Sequence, residues 1–139
     1  MPFDMMVNPK MLKADKYKKF TEMVSDYNYP IEKHFYETED KYVNCVFRIS
    51  GPRGTRAIDN AKLPYKKPVI IYQHGFADSC ATICSDGLES MAFIFADAGF
   101  DIWMNNTRGN KFSRHHRYLD PGVHKAFWNF SYQEMAQYD

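Results

Sequence analysis

Pro68-Val69-Ile70-Ile71-Tyr72 is a short apolar run that opens directly into Gln73-His74-Gly75-Phe76. A run of this length with no polar alternation predicts a strand buried on both faces, as in a parallel sheet. A helix is predicted next, from about Asp86 to Ala98. Leu88, Met91, Ala92 and Phe95 form its apolar stripe, and Gly99 stands where a helix stops. Phe100-Asp101-Ile102-Trp103-Met104 then reads as a second strand, ending in Asn105-Asn106-Thr107-Arg108-Gly109-Asn110. Strand, helix and strand with short connections make a βαβ unit, for which a right-handed crossover is expected.

Upstream the period changes. Between His34 and Ile49, Val43, Cys45, Phe47 and Ile49 alternate with Tyr42, Asn44, Val46 and Arg48. This predicts an antiparallel hairpin with one buried face, turning at Thr38-Glu39-Asp40-Lys41. A polar loop follows from Gly51 to about Lys67. Before the hairpin, Phe20, Met23, Val24 and Tyr27 share one face of a helix spanning about Pro9 to Tyr27, which Asn28-Tyr29-Pro30 ends. Near the C-terminal limit of the sequence, Ser131-Tyr132-Gln133-Glu134 is a capping box that starts another helix. An antiparallel hairpin feeding parallel strands defines a mixed sheet of the α/β class.

Composition narrows the function classes. The 139 residues carry a net charge of +1, which gives no electrostatic case for nucleic acid. Lys10, Lys13, Lys16, Lys18 and Lys19 read as the solvated face of the first helix rather than a membrane-surface patch. Cys45, Cys80 and Cys84 are too few, and odd in number, for a disulfide framework; they read as free thiols. Neither the Cys80/Cys84 pair nor His115-His116 has a second pair at zinc-site spacing, so no metal and no cofactor is expected. The first twenty residues show no apolar signal region, and no stretch is long enough to span a bilayer, so an intracellular location is favoured over secretion. Asn105-Asn106-Thr107 and Asn129-Phe130-Ser131 are glycosylation sequons that matter only in the secretory pathway.

Several blocks, in order, resemble the acid lipases, the gastric and lysosomal lipases and their relatives. Tyr72-Gln73-His74-Gly75 is similar to that family's Q-H-G strand exit. The run from Ser90 to Trp103 is similar to its S-L-A-F-x-L-A-D-A-G-Y-D-V-W. Asn106-Thr107-Arg108-Gly109-Asn110 is similar to N-S-R-G-N, and Phe127-Trp128 with Phe130 to Asp139 to F-W-x-F-S-x-x-E-M-A-x-Y-D. Tyr29-Pro30 and Thr38-Glu39-Asp40 with Tyr42 match two earlier motifs. Lys41 replaces a turn glycine, Phe76 a leucine and Asn105 a glycine. The match covers residues 20–139, a partial α/β-hydrolase domain, and leaves 1–19 as an unmatched extension.

The resemblance implies hydrolysis of lipid carboxylic esters by a Ser-Asp-His triad. The nucleophile of that fold sits in a G-x-S-x-G elbow, and no two of the seven glycines have that spacing. No catalytic residue is therefore assigned within these residues. Phe76 matches the position whose backbone N–H contributes to the oxyanion hole, with His74 and Gly75 as its motif. His74 itself is expected to anchor the turn, since the family's general base lies far downstream. Arg108 is expected to tie down its loop, and Asp101 to be structural. The strand Val69–Tyr72 is expected to need a neighbour on each side. The sequence thus predicts order only with a second polypeptide, which completes or covers the sheet; lipid esters bind only once it does. Three readings follow: one piece of a split lipase, a non-catalytic subunit built on a lipase remnant, or a partial sequence.

Overall fold

The computed structural model describes residues 19–139. The predicted helix therefore has its start, the Lys-rich run before Lys19 and most of the 1–19 extension outside the described residues. The described end of that helix is α1 (Phe20–Asp26). Phe20, Val24 and Tyr27 are buried on its inner face. The helix stops because Asn28 adopts a left-handed conformation, φ 64°. The N–H of Asn28 then bonds Ser25 O, and that of Tyr29 bonds Val24 O. This is a Schellman closure with asparagine in glycine's usual place. The reason for the stop differs from the pre-proline geometry expected.

The hairpin comprises β1 (Ile31–Glu37) and β2 (Tyr42–Ile49). They pair antiparallel from Ile31 opposite Ile49 to Glu37 opposite Val43. The polar segment after β2 contains a single helical turn, α2 (Ala57–Asn60), where only loop was expected. The parallel strand is β3 (Val69–Tyr72). It is followed by 3-10 turns over Cys80–Cys84 and Gly87–Glu89, then α3 (Met91–Asp97) and β4 (Asp101–Met104). The two-residue β5 (His115–His116) adds to β2, and α4 (Tyr132–Tyr138) follows a 3-10 turn over Lys125–Trp128. The sheet order is β1-β2-β4-β3, with β5 paired off this path to β2. β3 and β4 are parallel from Val69 opposite Asp101 to Tyr72 opposite Met104.

Two sequence expectations need correction. First, β3 is not buried on both faces. It is an edge strand among the described residues, with Val69 and Ile71 exposed and Ile70 and Tyr72 half-buried. Burial of one face of a strand depends on what packs there, which its own residues do not specify. Second, the helix after β3 is shorter than predicted and differently phased. Ser90 leaves helical geometry with ψ 137°, its hydroxyl donating to Gly87 O and accepting from Asp86 N. The helix restarts at Met91, so Ala92, Phe93 and Ala96 face inward, while Leu88 and Met91 are exposed. Phe93 is fully buried, and its ring stacks on Tyr29 at 4.2 Å. The Tyr29 hydroxyl donates to Asp97 at 2.6 Å, joining α3 to the chain entering β1. Gly99 stops α3 as expected, at φ 95°, with Phe100 N–H on Phe95 O and Gly99 N–H on Ala96 O.

The core lies between the sheet, α1 and α3. Phe20 meets Phe47 edge-on at 4.9 Å, and Ile49, Ile102 and Met104 fill the layer below. At its margin Arg48 makes a two-pronged ion pair with Asp101, 2.8 and 2.7 Å, and stacks over Trp103. Asp101 is thus a structural residue that fixes the start of β4 to β2.

Candidate active site

β3 and β4 run parallel and end side by side, and their exits diverge into two loops. The loop after β3 carries Gln73 to Ser79, and the loop after β4 carries Asn105 to Lys111. Between them lies a cleft of about 990 Å³, also lined by Trp128, Phe130, Tyr132, Met135 and Ala136. A crevice beyond the carboxyl ends of parallel strands is where open α/β sheets bind ligands.

The loop after β3 is held by its histidine. His74 is buried. Its Nε2 lies 3.2 Å from the Thr107 backbone nitrogen and 3.2 Å from Asn110 Nδ2. Its Nδ1 lies 2.7 Å from Gly75 O. Phe76, the next residue, is 79% exposed, and its backbone N–H has no acceptor among the described residues. The Phe76 ring touches Tyr132 edge-on at 5.4 Å. Ala77 then takes a left-handed φ of 57°, a conformation that costs an alanine roughly 1 kcal/mol. Asp78 catches the chain beyond, accepting from Ser79 N and from the Thr82 hydroxyl, and these bonds hold its carboxyl below the usual range.

Two asparagines of the loop after β4, Asn106 and Asn110, hold it together, and neither was singled out for that role from its residue type. Asn106 is fully buried: its Oδ1 accepts from Cys80 N at 3.0 Å and Asn110 Nδ2 at 2.9 Å, and its Nδ2 donates to Cys45 O at 3.1 Å. One side chain thereby ties together β2, the turn after β3 and its own loop. Asn110 Oδ1 accepts from the Phe112 and Ser113 N–H groups. The spacing of the two asparagines at i and i+4, at the two ends of the Asn106–Asn110 motif, was the sequence signal for this arrangement.

Arg108 lies beneath the cleft with its side chain fully out of solvent. It donates through Nη1 and Nη2 to Asp40 and through Nε to Asp139 at 2.8 Å, and its guanidinium sits 4.0 Å from the Tyr42 ring centre. Burial disfavours the Arg108 charge, but the Asp40 and Asp139 bonds outweigh that and its pKa is raised. For Asp40 burial also disfavours the charge, which here raises the pKa, but the hydrogen bonds from Arg108 and Thr38 carry it below the usual range. Three segments distant in sequence meet on one cation.

The remaining sequence candidates lie away from the cleft's chemistry or are tied up. Cys45, Cys80 and Cys84 are buried free thiols, and burial pushes Cys45 up to about 11 and Cys80 to about 12. They are poor nucleophiles at neutral pH. His116 accepts the Tyr118 and Leu119 N–H groups at Nδ1, and its Nε2 faces Asp40 O. No cluster of three or more metal-ligating side chains occurs among the described residues. Ser131 is committed to its capping box with Glu134. Asn105 is bonded to Gln73 and to the Tyr36 hydroxyl, whereas Asn129 is exposed. Among the described residues no helix is long and apolar enough to cross a membrane.

A mixed sheet whose parallel pair opens on such a cleft defines an α/β-hydrolase-type fold, here in part. Comparison with known proteins places it more narrowly. Residues 20–87 match a family model described as a partial alpha/beta-hydrolase lipase region. The chain corresponds to the N-terminal portion of the acid lipase family. It is 46% identical over 120 residues to a human lysosomal acid lipase/cholesteryl ester hydrolase, covering 86% of this chain and 29% of the relative. It is 39% identical over 120 residues to a Bos taurus gastric triacylglycerol lipase, with the same coverage. A tear acid lipase-like protein of Mesocricetus auratus is 39% identical over 138 residues, 99% of this chain and 32% of the relative. The chain thus spans about a third or less of the length of these curated relatives.

Proposed function

We propose that residues 20–139 form the front part of a lipid carboxylic-ester hydrolase, in which Phe76 donates its backbone N–H to the oxyanion. The observation that carries this reading is the exit of β3: an exposed, unpaired backbone donor at the mouth of a cleft walled by aromatic side chains. Ester hydrolysis through a serine nucleophile passes through a tetrahedral intermediate whose former carbonyl oxygen is negative. A preorganised donor aimed at that oxygen is worth about 2.7–4 kcal/mol. The serine, aspartate and histidine must come from polypeptide outside these 139 residues, since no G-x-S-x-G occurs within them. That polypeptide also supplies the neighbour that β3 lacks among the described residues. The lipase names of the relatives support a lipid ester as substrate.

Because the donor is a main-chain group, its chemistry is indifferent to the side chain. In the native, completed enzyme, Phe76→Leu is expected to keep ester turnover within a few-fold. Phe76→Pro, which removes the N–H, is expected to lower kcat by about 100- to 1000-fold. Equal turnover by the leucine and proline variants would contradict the assignment.

A further inference from the structure

We propose that His74 is a positioning residue for the oxyanion donor, acting as a clamp locked in one tautomer; this rests on the hydrolase reading above. The Thr107 backbone nitrogen, 3.2 Å from Nε2, can only donate, so Nε2 must be the acceptor. Asn110 Nδ2, at 3.2 Å, adds a second donor on the same side. The ring proton therefore sits on Nδ1. There it meets Gly75 O at 2.7 Å, a group that can only accept. Both ends of the ring demand the same tautomer.

The consequence falls on the next peptide. No cis peptide bond occurs among the described residues, so the Gly75–Phe76 unit is trans and planar. In a trans peptide the carbonyl of one residue and the N–H of the next point in opposite directions. Fixing Gly75 O against the imidazole turns the Phe76 N–H away from it, to the side where it has no acceptor among the described residues. A glycine at 75 would otherwise leave this peptide free to rotate: nothing lies within 4 Å of where its Cβ would be. The clamp is itself braced from the core, because Asn110 is bonded to Asn106 and Asn106 to Cys45 O on β2. The buried Asn106 thus sets the Asn110 donor, Asn110 and Thr107 set the imidazole, and the imidazole sets the peptide.

The test compares His74→Leu and His74→Asn in the native, completed enzyme. Leucine keeps the volume and loses both nitrogens. Asparagine carries a donor near the place of Nδ1 and keeps the bond to Gly75 O. His74→Leu is expected to lower kcat by about 100-fold, as for a misplaced catalytic group, with KM within twofold. Affinity for an alkyl trifluoromethyl ketone, which mimics the tetrahedral intermediate, should fall in parallel. His74→Asn should recover most of both. A leucine variant with kcat within twofold of the parent, or a loss that asparagine does not recover, overturns the clamp. Imidazole ¹⁵N shifts give a readout independent of turnover: the Nδ1–H tautomer is expected, and an Nε2–H tautomer overturns the proposal. If no ester is turned over even by the parent enzyme, the hydrolase reading falls and the tautomer measurement still decides the clamp.

Discussion

At Arg108 a single side chain shows how this sequence joins its distant parts. The guanidinium is buried with Asp40 from the hairpin turn and Asp139 after α4 around it. Removing the cation leaves the buried Asp139 carboxylate, and the partly exposed Asp40 beside it, without their charge partner. Arg108→Leu is therefore expected to lower the unfolding free energy by about 3–5 kcal/mol, measured by urea denaturation. A loss under 1 kcal/mol would show that the carboxylates find other partners. Lys41 is a smaller case. It stands in the left-handed region at φ 76°, just after the turn its Thr38 and Asp40 neighbours close. The family has glycine there, and the structure gives the reason. Lys41→Gly is expected to stabilise the fold by about 0.5–1 kcal/mol, offset slightly by loss of the exposed pair with Glu37. An unchanged or lowered denaturation midpoint would contradict this. The sequence showed that position 41 departs from the family. It could not show that Arg108 is the hub, because both its acidic partners lie at least 31 residues away.

Elements that end by local chemistry were legible. The capping box at Ser131 and the stop at Gly99 are each decided by neighbours in sequence, and each is found where the residues place it. The alternation along β2 holds from Cys45 to Ile49, but Tyr42 and Asn44 on the opposite face are buried as well, so the single buried face expected there is corrected. Elements whose faces depend on distant packing were not. The phase of α3 followed from Ser90 folding back on Gly87, and the exposure of β3 from its place at the sheet edge. That edge has a measurable consequence. Val69 and Ile71 present an apolar face beside unpaired strand backbone, a template for association. Ile71→Lys, at a position 76% exposed, is expected to reduce self-association of the 139-residue chain by light scattering. Its denaturation midpoint should hold, since exposed substitutions usually change stability by less than about 0.5 kcal/mol. Undiminished scattering would mean that association runs through another surface.

For the molecule as a whole, the order of motifs identified the family and the class of fold, and the cleft at the ends of β3 and β4 lies where that class places one. The network behind the cleft, from Cys45 through Asn106 and Asn110 to His74, crosses three segments and could not be assembled from spacing alone. We propose that this partial domain works as part of a serine hydrolase of lipid esters. Labelling natively purified material with a fluorophosphonate probe, and locating the label by mass spectrometry, tests it most directly. Covalent label is expected on a G-x-S-x-G serine in polypeptide stoichiometric with these residues. A defined assembly containing them that takes no label on any component would contradict it, and would leave a lipase fold kept for its surfaces.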